Sequence, residues 1–96
     1  MDPKYHLVVG VAVFTGLPSV KIYPLDEESK VSAKAQLFMK FVEYGNPKPL
    51  IYTGTMDEIR GKLRQWCKEN DYVYEEKDVE NNQLVIIVKV NSINKE

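Results

Sequence analysis

Apolar residues are distributed along this chain with two different periods, and the change from one to the other outlines the elements. From Tyr5 to Phe14 (YHLVVGVAVF) almost every position is apolar. Read as an extended strand, Tyr5, Leu7, Val9, Val11 and Val13 share one side, and Val8, Ala12 and Phe14 the other. A strand apolar on both sides belongs in the middle of a sheet whose two faces are both covered. Gly10 inside it marks a bulge or a close approach of another backbone. Thr15-Gly-Leu-Pro-Ser19 is turn chemistry, and Val20 to Tyr23 is a returning strand ended by Pro24, so an N-terminal hairpin is predicted.

The stretch from Asp26 to Gly45 fits two periods. Apolar residues at 31, 33, 35, 37, 39 and 41 alternate as in a long strand. At about 100° per residue the same stretch gathers Ser29, Ser32, Gln36, Lys40 and Glu43 into one polar arc. Val31, Ala35, Leu37, Phe38, Met39, Phe41 and Val42 fill the rest, with Lys30 and Lys34 snorkelling from the apolar arc. The ends favour helix: Asp26 suits the N-cap, Glu27 and Glu28 the first turn, and Gly45 before Asn46-Pro47 is a stop signal. A short strand follows from Pro49 to Thr53. Thr55-Met-Asp-Glu58 matches the capping box and opens a second helix running to about Asn70. Its inward stripe is Met56, Ile59, Leu63, Trp66 and Cys67, and Gly61 lies off that stripe. Asp71 to Glu76 and Gln83 to Val90 complete the chain as two strands.

The resulting order, β-β-α-β-α-β-β, predicts an α+β fold. The expectation is a two-layer sandwich with a mainly antiparallel sheet of about five strands and two helices on one face. Its 96 residues fit a single small domain, with a frayed polar tail from about residue 91. The composition is that of a folded domain, 44% hydrophobic and 28% charged.

Charge and chemistry narrow the function more by exclusion than by assignment. A formal net charge of −1 gives no global field to draw in nucleic acid or an anionic membrane. The longest early apolar run, Leu7 to Phe14, is far shorter than the ~20 residues of a membrane span. The first residues lack a secretory pattern, and Cys67 is the only cysteine, so a reducing, cytoplasmic setting is expected and an internal disulfide is excluded.

His6 is the only histidine, which leaves no triad or metal site needing two, and no nucleophile stands near it in sequence. Cys67 falls on a buried stripe rather than in the electropositive, exposed setting of a reactive thiol. Asp26, Glu27 and Glu28 diverge on a helix and read as caps, not metal ligands. The acidic run Glu69, Asp71, Glu75, Glu76, Asp78 and Glu80 lacks the spacing of a calcium loop. Gly54, between a strand and a helix, sits in neither phosphate-binding fingerprint.

Catalytic, cofactor and metal residues are therefore assigned to none. The positive feature is a ridge on the second helix, Arg60, Arg64 and Lys68, the candidate partner-binding residues. Were residues 26–45 a strand, Lys34, Phe38, Lys40 and Tyr44 would share a face suited to single-stranded nucleic acid.

The expected function is a small non-enzymatic interaction or regulatory module with a protein partner or itself as a homodimer. Apolar strand faces in excess of what helices on one side can cover carry that expectation. A nucleic-acid-binding accessory protein using the basic ridge is the less favoured alternative.

Overall fold

The computed structural model describes residues 3–25, 30–79 and 83–91. Its elements are β1 (Lys4–Val11), β2 (Pro18–Pro24), α1 (Ala33–Val42), β3 (Leu50–Thr55), α2 (Met56–Glu69), β4 (Tyr72–Val79) and β5 (Gln83–Val90). The α+β class, the element order and the five antiparallel strands are those expected. Residues 26–45 contain a helix, as their ends indicated.

That helix is shorter than the pattern predicted. It is capped by Ser32, whose hydroxyl accepts from the Ala35 amide at 3.1 Å, and not by Asp26. A capping hydroxyl one residue before the first helical turn satisfies an orphan amide where it arises. Asp26, Glu27, Glu28 and Ser29, expected as cap and first turn, lie outside the described residues. The first strand also ends sooner than expected, at Val11. The turn consumes residues 12–17, closed by Gly16 N–H donating to the Ala12 carbonyl at 2.8 Å, with Gly16 itself left-handed at φ 71°. Val13 and Phe14 consequently belong to the hairpin tip.

The expected single sheet is two sheets, one of three strands in the order β2-β1-β3 and one a β4-β5 ribbon. In the ribbon, Tyr72, Tyr74, Ile86 and Val88 share a side and pack on the core cluster of Leu7, Val9, Ile59, Leu63, Trp66 and Cys67. This one-sided apolar ribbon buries itself by lying across the sheet beside α2, stacking Tyr72 on Trp66 at 5.2 Å between ring centroids. Each fully buried Leu, Ile or Val in that cluster contributes about 1.5–3 kcal/mol.

The helices also lie on opposite faces of the three-stranded sheet, not on one. Leu7 and Val9 meet the buried α2 residues. Gly10, on the other side of β1, is approached so closely by Val42 of α1 and by Pro49 that a Cβ there would lie 2.9 Å from the Cβ of each. On that same side Lys21, opposite Val8 in the register, sits over the Phe38 ring of α1. Both apolar faces of β1 are thus covered within one chain, with Val8, Ala35 and Val42 all fully buried. The excess of apolar surface moves elsewhere, to the outside of α1.

Candidate functional site

Because α1 buries Ala35 and Val42 and half-buries Phe38 and Met39 on its sheet side, other apolar side chains of its arc face outward. Leu37, Phe41 and Tyr44, at spacings of four and three, form an exposed stripe. The β1–β2 hairpin tip adds Val13, Phe14 and Leu17, also exposed, with Phe14 84% accessible. The two segments are joined. Phe14 meets Phe41 edge-on at 6.3 Å between centroids, and the Val13 amide donates to the Phe41 carbonyl at 3.4 Å. Exposed Lys34, Lys40 and Glu43 stand on the same helix. Of these six apolar residues sequence reading named Tyr44 alone, and for a strand face with Lys34, Phe38 and Lys40 rather than for this surface. The signal was present in α1, where seven apolar side chains exceed what one buried helix face can take.

The predicted basic ridge has a different character. Arg60 donates through Nε and NH2 to the two carboxylate oxygens of Glu76, at 3.0 and 2.9 Å, and Arg64 NH2 donates to the same carboxylate at 3.0 Å. Tyr74 hydroxyl is a third donor to Glu76, and Asp57 lies 3.7 Å from Arg60. The capping box of Thr55 and Glu58 fixes the start of α2 (2.9 and 3.3 Å), so Arg60 and Arg64, one turn apart, both aim at the ribbon.

Arg60, followed by Tyr74, holds the Glu76 carboxyl below its ordinary value by hydrogen bonding. Burial, reinforced by Glu76, pushes the Tyr74 phenol up to about 12. Two of the three ridge cations are therefore engaged in a clasp between α2 and β4, while Lys68 is exposed on the following turn. Glu76 read only as part of an acidic run because its arginine partners lie on another element, 12 and 16 residues away.

His6 is buried at 4% exposure in β1. Its Nδ1 shares a 2.9 Å hydrogen bond with the Thr53 hydroxyl directly opposite on β3. The structure thus places a hydroxyl beside this imidazole, which the sequence had not shown. The pair is a cross-strand polar contact that orients the ring, and Nε2 is buried with no partner among the described residues. Burial lowers the imidazole pKa. Cys67 is buried, and burial pushes its thiol up to about 11.

Two of the open grooves in the surface are lined mainly by apolar side chains. One of about 440 Å3 is lined by Met39, Pro49 and Ile51 with Lys40 and Glu43 at the rim. The other, of about 400 Å3, is lined by Tyr5, Val20, Ile22, Met56 and Ile86. Neither is lined by His6 or Cys67.

Among the described residues no group of three or more His, Cys, Asp or Glu is placed to hold a metal ion. Glu75 pairs with Lys89 at 3.2 Å and Asp71 accepts from Asn91 at 3.0 Å; Glu80 and the Asp78 side chain lie outside the described residues. A side chain at Gly54 would collide with the Glu58 carboxylate, so this glycine serves the cap of α2. Because residues 33–42 are helical, Lys34, Phe38, Lys40 and Tyr44 do not line a common strand face. No helix among the described residues is long and apolar enough to cross a membrane.

The fold and these sites define a small compact α+β domain in which the least satisfied surface is apolar. No family model, curated protein or solved structure matches the chain.

Proposed function

We propose that the protein is a non-enzymatic interaction module that works through a protein–protein surface and self-associates there. The observation that carries this reading is the joined face of Val13, Phe14, Leu17, Leu37, Phe41 and Tyr44, all exposed. Contiguous exposed apolar surface of this kind marks interaction sites on folded proteins, and aromatic residues are the side chains that dominate binding energy at interfaces. A free, buried thiol fits a reducing, cytoplasmic setting. The basic ridge supports a nucleic-acid role less well, since Glu76 already occupies Arg60 and Arg64. Sedimentation velocity over a wide concentration range tests the proposal. The wild type is expected to form a faster-sedimenting species that Phe14→Asp abolishes without lowering the thermal midpoint. A wild type that stays monomeric, or a variant that associates as well as wild type, removes it.

A further inference from the structure

Resting on that reading, we infer that the apolar face closes against the same face of a second copy, as a twofold pair with the α1 helices antiparallel. Three observations point to a second copy. The first is area. Allowing ~150–220 Å2 for each whole side chain, the exposed fractions of the six residues leave roughly 700 Å2 per copy. Covering both faces removes roughly 1,400 Å2, within the ~1,200–2,000 Å2 of a stable interface. One copy of equal area is therefore enough.

The second is shape. Leu37 and Phe41 run along the helix, with Tyr44 just past its end and Phe14 laid against Phe41, a ridge rather than a slot. A ridge of this form packs on another helix, whereas an inserted peptide needs walls on two sides.

The third is charge. A net charge of −1 lets two copies approach with little repulsion. On α1 the cation Lys34 precedes the apolar stripe, and Tyr44, just past the end of the helix, closes it. In an antiparallel pair centred between Leu37 and Phe41, Leu37 of each copy faces Phe41 of the other. Lys34 of each then lies beside Tyr44 of the other, so a cation–ring contact falls at both ends. A single self-complementary patch related by a twofold axis closes at two copies and leaves no face for a third.

Sedimentation equilibrium on the full chain, with charge-swapped variants, tests the arrangement. The species is expected to be a dimer at every concentration at which association occurs. Phe41→Asp is expected to raise the dissociation constant at least ~30-fold, as for a central interface residue. Lys34→Glu is expected to weaken the pair, and to weaken it much less in a chain that also carries Tyr44→Leu, because the ring it faces is then gone. Thermal unfolding of every variant confirms that these exposed substitutions leave the fold intact. Species larger than two, or a Lys34→Glu effect undiminished in the Tyr44→Leu chain, overturns the twofold pair while the interaction reading stands. A wild type that never associates overturns both.

Discussion

Two glycine-to-alanine substitutions that look alike in sequence are expected to change stability in opposite directions. At Gly61, within α2 and exposed, a Cβ would meet nothing within 4 Å. Only the helical backbone responds, and Gly61→Ala should stabilise the protein by about 1 kcal/mol. At Gly10 a Cβ would lie 2.9 Å from the Cβ atoms of both Val42 and Pro49. Those atoms ride on their own backbones and cannot swing aside. Overpacking of a close-packed site costs about 1–3 kcal/mol, while replacing a strand glycine returns about 0.5–1 kcal/mol. At the middle of both ranges packing prevails, and Gly10→Ala should lose roughly 1 kcal/mol on balance. In a domain this size each kcal/mol moves the thermal midpoint by about 4–8 °C, so the two variants should melt at least ~8 °C apart on either side of wild type. Circular dichroism melts, checked by urea midpoints at unchanged m, make the measurement. A Gly10→Ala protein as stable as wild type would mean that α1 and Pro49 do not cover that face of β1, and the placement of the helices on opposite faces would fall with it.

The clasp on Glu76 gives an acid signature. A carboxyl held below its ordinary pKa in the folded state stabilises the fold above that ordinary value, 4.5, and loses the contribution as pH falls through the lowered value. Glu76→Gln should therefore show a smaller loss of stability than wild type between pH 5 and the acid limit, and equal slopes in acid titrations would contradict the clasp. His6 has the same sign for a different reason. Its lowered pKa, caused by burial, favours the neutral imidazole, so stability is complete above 6.5 and declines as pH drops below it; an NMR titration midpoint at or above 6.5 would refute this. Cys67, with its thiol near 11 and its side chain buried, should resist a thiol reagent in the native protein and react on unfolding, whereas rapid native labelling would contradict its place in the core.

Local signals were legible where the physics is local. The Thr55–Glu58 box and the α2 stripe are set by neighbours within two turns, and Gly10 announced a close approach before its partners were known. Residues 26–45 were harder, since alternation and helical period coexist there and only the ends separated them. Asp26 and Ser32 are both capping residues, and choosing between them depends on where α1 must start to reach the sheet. The division into two sheets was hidden for a similar reason. Tyr72 and Tyr74 read as ordinary strand residues, and only Trp66 beneath them explains why the ribbon lies across α2 instead of extending an edge. The site was legible least. Arg60 and Arg64 were visible as a ridge, but the carboxylate that engages them is supplied by a different element. The apolar face escaped notice because its two halves, the hairpin tip and α1, are far apart in the chain.

The position of α2 has a consequence for how the molecule opens. β1–β3 and β4–β5 share no ladder with each other, and α2 joins them. Its Leu63 and Ile59 belong to the core under the sheet, its Trp66 stacks on Tyr72, and its two arginines hold Glu76. Lifting the ribbon would expose the indole and break the charge cluster in one event, so the ribbon and the helix have little access to separate partial openings. The outer hairpin tip is held more lightly, to α1 alone through the Val13–Phe41 hydrogen bond and the Phe14–Phe41 contact, and can open without disturbing that core. The protein is thus built with its slowest-exchanging amides around α2 and faster-exchanging ones at the tip, within the surface we assign to binding.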